Sequence, residues 1–217
     1  MSLVVAIDGP AGSGKGTLAS IISEKLGLVN IDTGAMYRCV ALAALRANLN
    51  LEDKDEIIKL SKEIKITFDK NKNTYLNGED VSKEIREKEV TNIVSQISSI
   101  IEVREEMVKQ QRELAKGLDV IMEGRDITTV VFPNANYKFY LDATSEERAK
   151  RRFKQNKEQG IKMSLKEIKE NIEKRDYNDM HKEVGALIRT NEQKYIDSTN
   201  LTIEEVAEIV INEIKEK

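Results

Sequence analysis

The run Gly9-Pro10-Ala11-Gly12-Ser13-Gly14-Lys15-Gly16-Thr17 holds the clearest chemistry in this chain. It follows the apolar Leu3-Val4-Val5-Ala6-Ile7 and precedes Leu18-Ala19-Ser20-Ile21-Ile22, so the order reads strand, glycine-rich turn, helix. That setting separates a phosphate-binding loop from a glycine-rich turn with an incidental lysine. The glycines open backbone angles closed to other residues, so successive amides can converge on one anion. The helix behind the loop adds unpaired N–H groups and its dipole, and Lys15 can reach the outer phosphates. Where a magnesium-holding Ser or Thr is common, directly after the lysine, stands Gly16, with Thr17 one place later.

Such a loop implies a nucleotide but does not separate an enzyme from a switch. Four further segments add to it. Asp32-Thr33-Gly34-Ala35-Met36-Tyr37-Arg38 closes a second strand candidate and Glu123-Gly124-Arg125-Asp126 a third. Arg148-Ala149-Lys150-Arg151-Arg152 and Arg175-Asp176-Tyr177-Asn178-Asp179 follow. Several of these arginines stand beside carboxylates at strand ends, the edge where open α/β sheets bind ligands. Singly, each reads as a solvated face residue, Arg151 and Lys154 most plainly. Together they fit phosphoryl transfer between two phosphates. At ~4 Å, two unit charges repel by about 4 kcal/mol at an effective dielectric near 20, so cations must stand between and around them. Guanidinium is permanently charged and grips two oxygens at once. Arg148 and Arg152, four apart, are expected on one helix face.

The elements that must position these groups alternate strand and helix, which argues for a parallel sheet covered on both faces. Strands are predicted at 3–8, 28–31, 119–123, 137–141 and 194–197, and long helices at 14–26, 35–47, 101–116, 145–157, 165–176 and 203–215. Asp53-x-x-Glu56, Thr144-x-x-Glu147, Ser164-x-x-Glu167 and Thr202-x-x-Glu205 have capping-box spacing, and Gly117 reads as a helix stop. Ile64-Lys65-Ile66-Thr67-Phe68 and Thr74-Tyr75-Leu76 alternate apolar with polar around the turn-rich 69–73, and Asn77-Gly78 supplies another turn. This predicts a small antiparallel sheet inserted at about 60–82, either ornamental or shaping a second substrate's pocket.

Composition sets the limits. The 217 residues suit one domain with insertions. With 34% charged but 40% apolar residues the chain reads as globular, and its net charge of -3 draws it to neither nucleic acid nor membrane. One cysteine, Cys39, excludes an internal disulfide; with one histidine there is no Cys/His metal cluster. Cys39 reads as a buried helix residue and His181 as a surface one. The start Met1-Ser2-Leu3-Val4 lacks a basic region, and no apolar stretch nears ~18 residues. A cytoplasmic protein is expected.

Taken together, the chain resembles the bacterial cytidylate kinases, within the adenylate-kinase-like nucleoside monophosphate kinases, from residue 4 to about 210. The resemblance rests on Ile7–Thr17, Asp32–Arg38, Gly124-Arg125-Asp126, Ser145-Glu146-Glu147-Arg148-Ala149 and Asp197-Ser198-Thr199 before Leu201–Glu205. Loops of those kinases read Gly-Lys-Gly-Thr, as here. It implies an α/β fold of the P-loop NTPase type: three layers, a five-stranded parallel sheet, a small antiparallel insert and a short helical lid. The implied division is a core of 1–34, 106–147 and 176–217, a monophosphate-binding region of 35–105, and a lid of 148–175.

The same resemblance implies an ATP-dependent kinase making CDP or dCDP from CMP or dCMP, working as a monomer on small molecules alone. Gly9 to Thr17, with Gly12, Ser13 and Gly14 among them, would bind ATP. Arg38 and Arg125 would hold the acceptor phosphate; Thr33, Arg104 and Asp126 would face cytosine; Ser95, Arg175 and Asp179 would contact the sugar. Arg148 and Arg152 would close over the donor phosphates. Thr33 replaces the usual serine, and Lys182 stands where a base-contacting arginine is frequent. Magnesium would come with ATP, held by phosphates and by water near Thr17 and Glu123, without a direct protein ligand. Rival readings are a UMP or AMP kinase, a GTP-dependent switch, and a kinase for a small non-nucleotide acceptor. Asp126 opposes uracil, whose O4 would set an acceptor against a carboxylate. The switch lacks Asn-Lys-x-Asp, since Asn156-Lys157-Glu158 ends in Gln159. The inserted sheet and the phosphate-directed arginines oppose the last.

Overall fold

The computed structural model describes residues 2–69, 73–158 and 160–215; the turn expected at 70–72 lies outside them. Five strands form one parallel sheet: β1 (Val4–Asp8), β2 (Val29–Asp32), β6 (Val120–Gly124), β7 (Tyr137–Asp142) and β8 (Lys194–Asp197), in the order β2-β6-β1-β7-β8. Val4 is in register with Val120 and Asp8 with Gly124 on one side of β1, and Val5 with Tyr137 on the other. The C-terminal ends of β1, β2 and β6 therefore lie side by side, bringing Asp8, Asp32 and Glu123 to one edge.

Strand alternation divides the core into two layers. Val5, Ile7, Ile121, Phe139 and Leu141 face one side with Leu18 and Ile22 of α1 (Lys15–Leu26) and Val206 and Val210 of α8 (Ile203–Lys215). Ala6, Ile31, Val120 and Met122 face the other with α2 (Thr33–Arg46), α3 (Lys54–Glu63), α4 (Lys88–Ile97) and α5 (Ile101–Leu114). Cys39 is fully buried in this second layer. The helices α6 (Ser145–Glu158) and α7 (Leu165–Met180) pack on each other through a small core of Ala149, Ile168 and Ile172. The second sheet is antiparallel: β3 (Ile66–Phe68), β4 (Thr74–Leu76) and β5 (Glu79–Asp80). Asn77 and Gly78 take φ 52 and 88, the left-handed pair of a tight hairpin.

Local chemistry sets most boundaries. Asp53 caps α3, Ser164 and Glu167 form a full capping box on α7, and Thr202 with Glu205 does the same for α8. The helix expected from residue 35 starts at Thr33, because Asp32 accepts the Ala35 N–H at 2.8 Å. Two helices outside the expected set, α3 and α4, complete the region between β2 and β6. After Asp126 the chain makes a π-helical turn, Ile127–Val131, with Phe132 N–H bonded to Ile127 C=O at 2.7 Å.

Candidate active site

The phosphate loop is held in shape by crowding. A Cβ on Gly9 would stand 2.0 Å from the Leu141 carbonyl oxygen, so the chain passes β7 only as glycine. Gly14 caps α1 at φ 96 and has no side chain to accept from the helix's first amides. Those donors, with the dipole behind them, are available to an anion. Lys15 is buried and donates to Pro10 C=O at 2.8 Å and to Ser13 Oγ at 3.4 Å. Burial, then the charge of Arg125, pushes its ammonium down to about 7. Glu123 packs beside Gly16, its Oε1 in ordinary contact at 3.5 Å from where a Cβ would be. Burial, then neighbouring Asp32, raises the Glu123 carboxyl.

A cavity of about 1060 Å³ runs from this loop past the ends of β2 and β6 to Arg104 and Lys182. Its walls carry Lys15, Lys154, Lys182, Arg38, Arg86, Arg104, Arg125, Arg151, Arg152 and Arg175, against Asp32, Glu123, Asp126, Glu147, Glu158 and Asp179. A chain of net charge -3 thus concentrates cations in one place, which is what two meeting phosphates require. Arg38 donates to Asp32 at 3.1 Å, while its buried Nε has no partner among the described residues. Arg125 donates through Nε to Asp179 at 2.7 Å. Burial works against the Asp179 charge, but Arg125 and then Lys182 outweigh it and hold that carboxyl below its ordinary range.

Beside this cluster lies a buried ion pair, Arg104 with Asp126. Arg104 also donates to Ser98 C=O at 3.1 Å and lies over the Tyr37 ring at 5.4 Å. The chain after α7 covers it: a Cβ on Gly185, at φ 68, would fall 1.9 Å from Arg104 Nη2. Thr33 Oγ donates to Glu123 C=O at 2.8 Å, keeping its lone pairs for an incoming donor. Asp126 is aimed by its neighbours. Ile127 and Thr128 donate their N–H groups to Asp8 at 2.8 Å each, and Thr128 Oγ donates to it at 2.6 Å.

The cavity unites Ala11, Gly12, Gly14, Lys15, Gly16, Thr17, Thr33, Arg38, Arg104, Glu123, Arg125, Asp126, Arg152, Arg175, Asp179 and Lys182. Gly9, Pro10 and Ser13 sit behind that lining. Two expected residues are placed elsewhere. Ser95 lies in a smaller adjoining pocket with Tyr177, His181 and Lys182, and Ser98 takes the cavity wall because it faces Lys182 Nζ at 3.0 Å. Arg148, expected over the donor phosphates, does not line the cavity: it is buried, donating to Ala143 C=O at 2.8 Å, Ala11 C=O at 2.9 Å and Asp176 at 2.7 Å. Conversely Arg151, read as a solvated residue, lines the cavity and donates to Ser198 C=O at 2.6 Å. No role was legible in the sequence for Asp8, Tyr37, Arg86 or Asp176, although Asp8, Tyr37 and Asp176 stand within the segments singled out there. His181 is exposed, as expected, and stacks on Tyr177 at 4.1 Å. Among the described residues no helix is long and apolar enough to cross a membrane.

A family model described as Cytidylate kinase matches residues 5–216. A cytidylate kinase of Caldanaerobacter subterraneus subsp. tengcongensis is 45% identical, the match covering 99% of this chain and 96% of that protein. One from Caldicellulosiruptor bescii is 47% identical over 95% of this chain and 93% of its own. Among solved structures, shikimate kinase from Bacteroides thetaiotaomicron shares the fold at TM-score 0.50 and 13% identity, covering 98% of each chain. With its glycine-rich loop opening into an arginine-lined cavity, and matched along almost its whole length, the chain belongs to the cytidylate kinase family.

Proposed function

We propose that this protein transfers the γ-phosphoryl group of ATP to CMP and dCMP, giving CDP or dCDP and ADP. The observation that carries the reading is the single cavity in which an uncapped phosphate loop meets Arg38, Arg125 and the buried Arg104–Asp126 pair. The acceptor phosphate is already an oxyanion, so no strong base is needed; the work is positioning and charge neutralisation. Lys15 and the amides of the loop take the donor phosphates. Arg38, with its unpartnered Nε, and Arg125, braced by Asp179, take the acceptor phosphate. Asp126 accepts from the exocyclic amine of cytosine, with Arg104 and Thr33 completing the base site. Arg175 and Asp179 serve the sugar side, Lys182 flanks the base site where it donates to Ser98 Oγ, and Arg152 closes over the donor. The donor's adenine lies by Arg151, Ser198, Leu201 and Ile203, which give an apolar wall and a planar cation.

Magnesium accompanies ATP. Glu123 is raised partly by Asp32 beside it, a crowding of carboxylates that a divalent cation relieves. Glu123 and Thr17, both on the cavity wall, would hold it through water, and it would supply neutralisation of phosphate charge. The core is 1–34, 106–147 and 176–217, the acceptor region 35–105, and the lid 148–175. The family resemblance supports a monomer, and dependence on ATP supports a cytoplasmic setting without nucleic acid or membrane partners. A coupled ADP-release assay across CMP, dCMP, UMP, AMP and GMP tests the reading. CMP and dCMP should be strongly preferred; equal rates with UMP, or none with CMP, would overturn it.

A further inference from the structure

We propose that Arg148 and Asp176 are positioning residues, which shape the phosphate loop and orient Lys15 by gripping Ala11 from both sides, rather than contacts to the donor phosphates.

Three elements meet at Ala11. Its N–H donates to Asp176 Oδ1 at 3.3 Å from α7, and its C=O accepts from Arg148 Nη1 at 2.9 Å from α6. The same Nη1 is bonded to Asp176 Oδ2 at 2.7 Å, and Arg148 Nε to Ala143 C=O at 2.8 Å just beyond β7. Both side chains are about nine-tenths buried, 6% and 11% exposed. Three of the five guanidinium N–H groups are thus committed to protein acceptors. A carboxylate at 2.7 Å further offsets the charge that a phosphate would seek.

Peptide planarity carries the effect into the site. No peptide among the described residues is cis. In a trans unit the C=O and N–H point to opposite sides. Drawing the Ala11 N–H toward Asp176 therefore turns Pro10 C=O the other way, where it receives the Lys15 ammonium at 2.8 Å. Drawing the Ala11 C=O toward Arg148 likewise turns the Gly12 N–H into the loop, where an anion would sit. Gly12, at φ 76, rests its outer face on this support, with Arg148 Cβ 3.5 Å and Ile172 Cδ1 3.9 Å from where its own Cβ would stand. The base of the α6–α7 pair is thus the back wall of the loop. Arg152, one turn along α6, faces the cavity.

The exchange arm of the test stands alone; the kinetic arm rests on the ATP-donor reading above. In the nucleotide-free wild-type protein, amide exchange followed by NMR should find Ala11 protected relative to Gly12, and Asp176→Asn should speed Ala11 exchange. In the kinetic arm, Arg148→Lys and Asp176→Asn, both mild enough to retain the fold, should each lower kcat/KM for ATP about tenfold to a hundredfold at saturating CMP. Lysine cannot serve the three acceptors that arginine serves here. The double variant should match the worse single variant within about threefold, because the two residues act as one unit. Multiplying losses would show Arg148 acting independently on phosphate, and an Ala11 amide exchanging as fast as Gly12 in the wild type would remove the clamp; either overturns the proposal. A wild-type protein with no CMP-dependent ADP release would sink the kinase reading, while amide exchange would still decide this one.

Discussion

Replacing Asp126 by asparagine tests how the base is read, and the structure sets the size of the response. Asp126 and Arg104 are 6% and 5% exposed and bonded to each other. Full loss of one partner from a buried pair costs about 3–5 kcal/mol. Asparagine, however, keeps an oxygen for Arg104, which also retains Ser98 C=O and the Tyr37 ring. The loss is then the charge-assisted part of one bond, about 1.5–3 kcal/mol. For a chain of this length that lowers Tm by roughly 3–12 °C, so the variant should fold at 25 °C. The specificity effect is separate. On the proposed reading, the wild-type carboxylate accepts from the cytosine amine and faces a second acceptor, O4, when uracil enters. Asparagine offers an N–H to O4 and a weaker acceptor to the amine. We expect Asp126→Asn to lower kcat/KM for CMP at least about tenfold, or ~1.4 kcal/mol, and to narrow the CMP-to-UMP ratio by a similar factor. Coupled ADP release with both nucleotides, well below the variant's Tm, gives the ratio. A folded variant with an unchanged ratio would show that Asp126 does not read the base and that selectivity rests on Thr33 and Arg104.

Lys15→Ala should fold yet fall below about a tenth of wild-type turnover, a loss exceeding ~1.4 kcal/mol; a folded variant above that level would refute its role at the phosphates. The ordinary lysine pKa is about 10.4, and burial followed by Arg125 lowers that of Lys15 to about 7. The unfolded chain therefore binds more protons between those values, and the penalty of holding this charge, full below pH 7, relaxes as pH rises. Phosphates restore the charge, so ATP binding at pH 8 should take up close to one proton, measured by calorimetry in buffers of different ionisation enthalpy; zero uptake contradicts the shift. Gly9→Ala, with its Cβ 2.0 Å from a backbone oxygen, should cost about 3 kcal/mol, whereas Gly117→Ala, at φ 75 with nothing within 4 Å, should cost about 1 kcal/mol. Equal shifts in Tm would show that the crowding at Leu141 is not what keeps Gly9.

The sequence exposed the features whose causes are local. Strand ends carrying Asp32-Thr33 and Glu123–Asp126 were readable because apolar runs stop there, and all four capping pairs hold a helix start. What stayed hidden has causes at a distance. The π-helical turn after Asp126 depends on Asp8, more than a hundred residues earlier. The helix α4 has Glu87 at its cap position with no side-chain hydrogen bond to the helix, so nothing marks its entry. The α3 cap at Asp53 was visible, but its charged surface concealed the helix behind it. Spacing on α6 put Arg148 and Arg152 on one face without saying which of them meets the loop. That depended on Asp176, contributed by the next helix.

Donor and acceptor sites must keep a fixed separation while the parts that cover them move, and Asp8 explains how. It ends β1, so the next residue opens the phosphate loop. Its carboxylate accepts the N–H groups of the two residues that follow Asp126. One short, fully buried side chain therefore joins the loop that holds ATP to the segment that presents Arg125 and Asp126. Burial raises the Asp8 carboxyl, against the Thr128 and Ile127 hydrogen bonds that favour its charge. Thr128 donates its hydroxyl proton to Asp8 and accepts in turn from Gln193, which also receives the Thr190 N–H at 2.7 Å and so ties in the chain before β8. The reacting groups are thus set by strand ends and backbone bonds, whose lengths vary little. On the proposed reading, motion is left to residues on separate elements, Arg38 on α2 and Arg152 on α6. A frame of this kind lets closure bring charge to the phosphates without changing the distance across which phosphoryl transfer occurs.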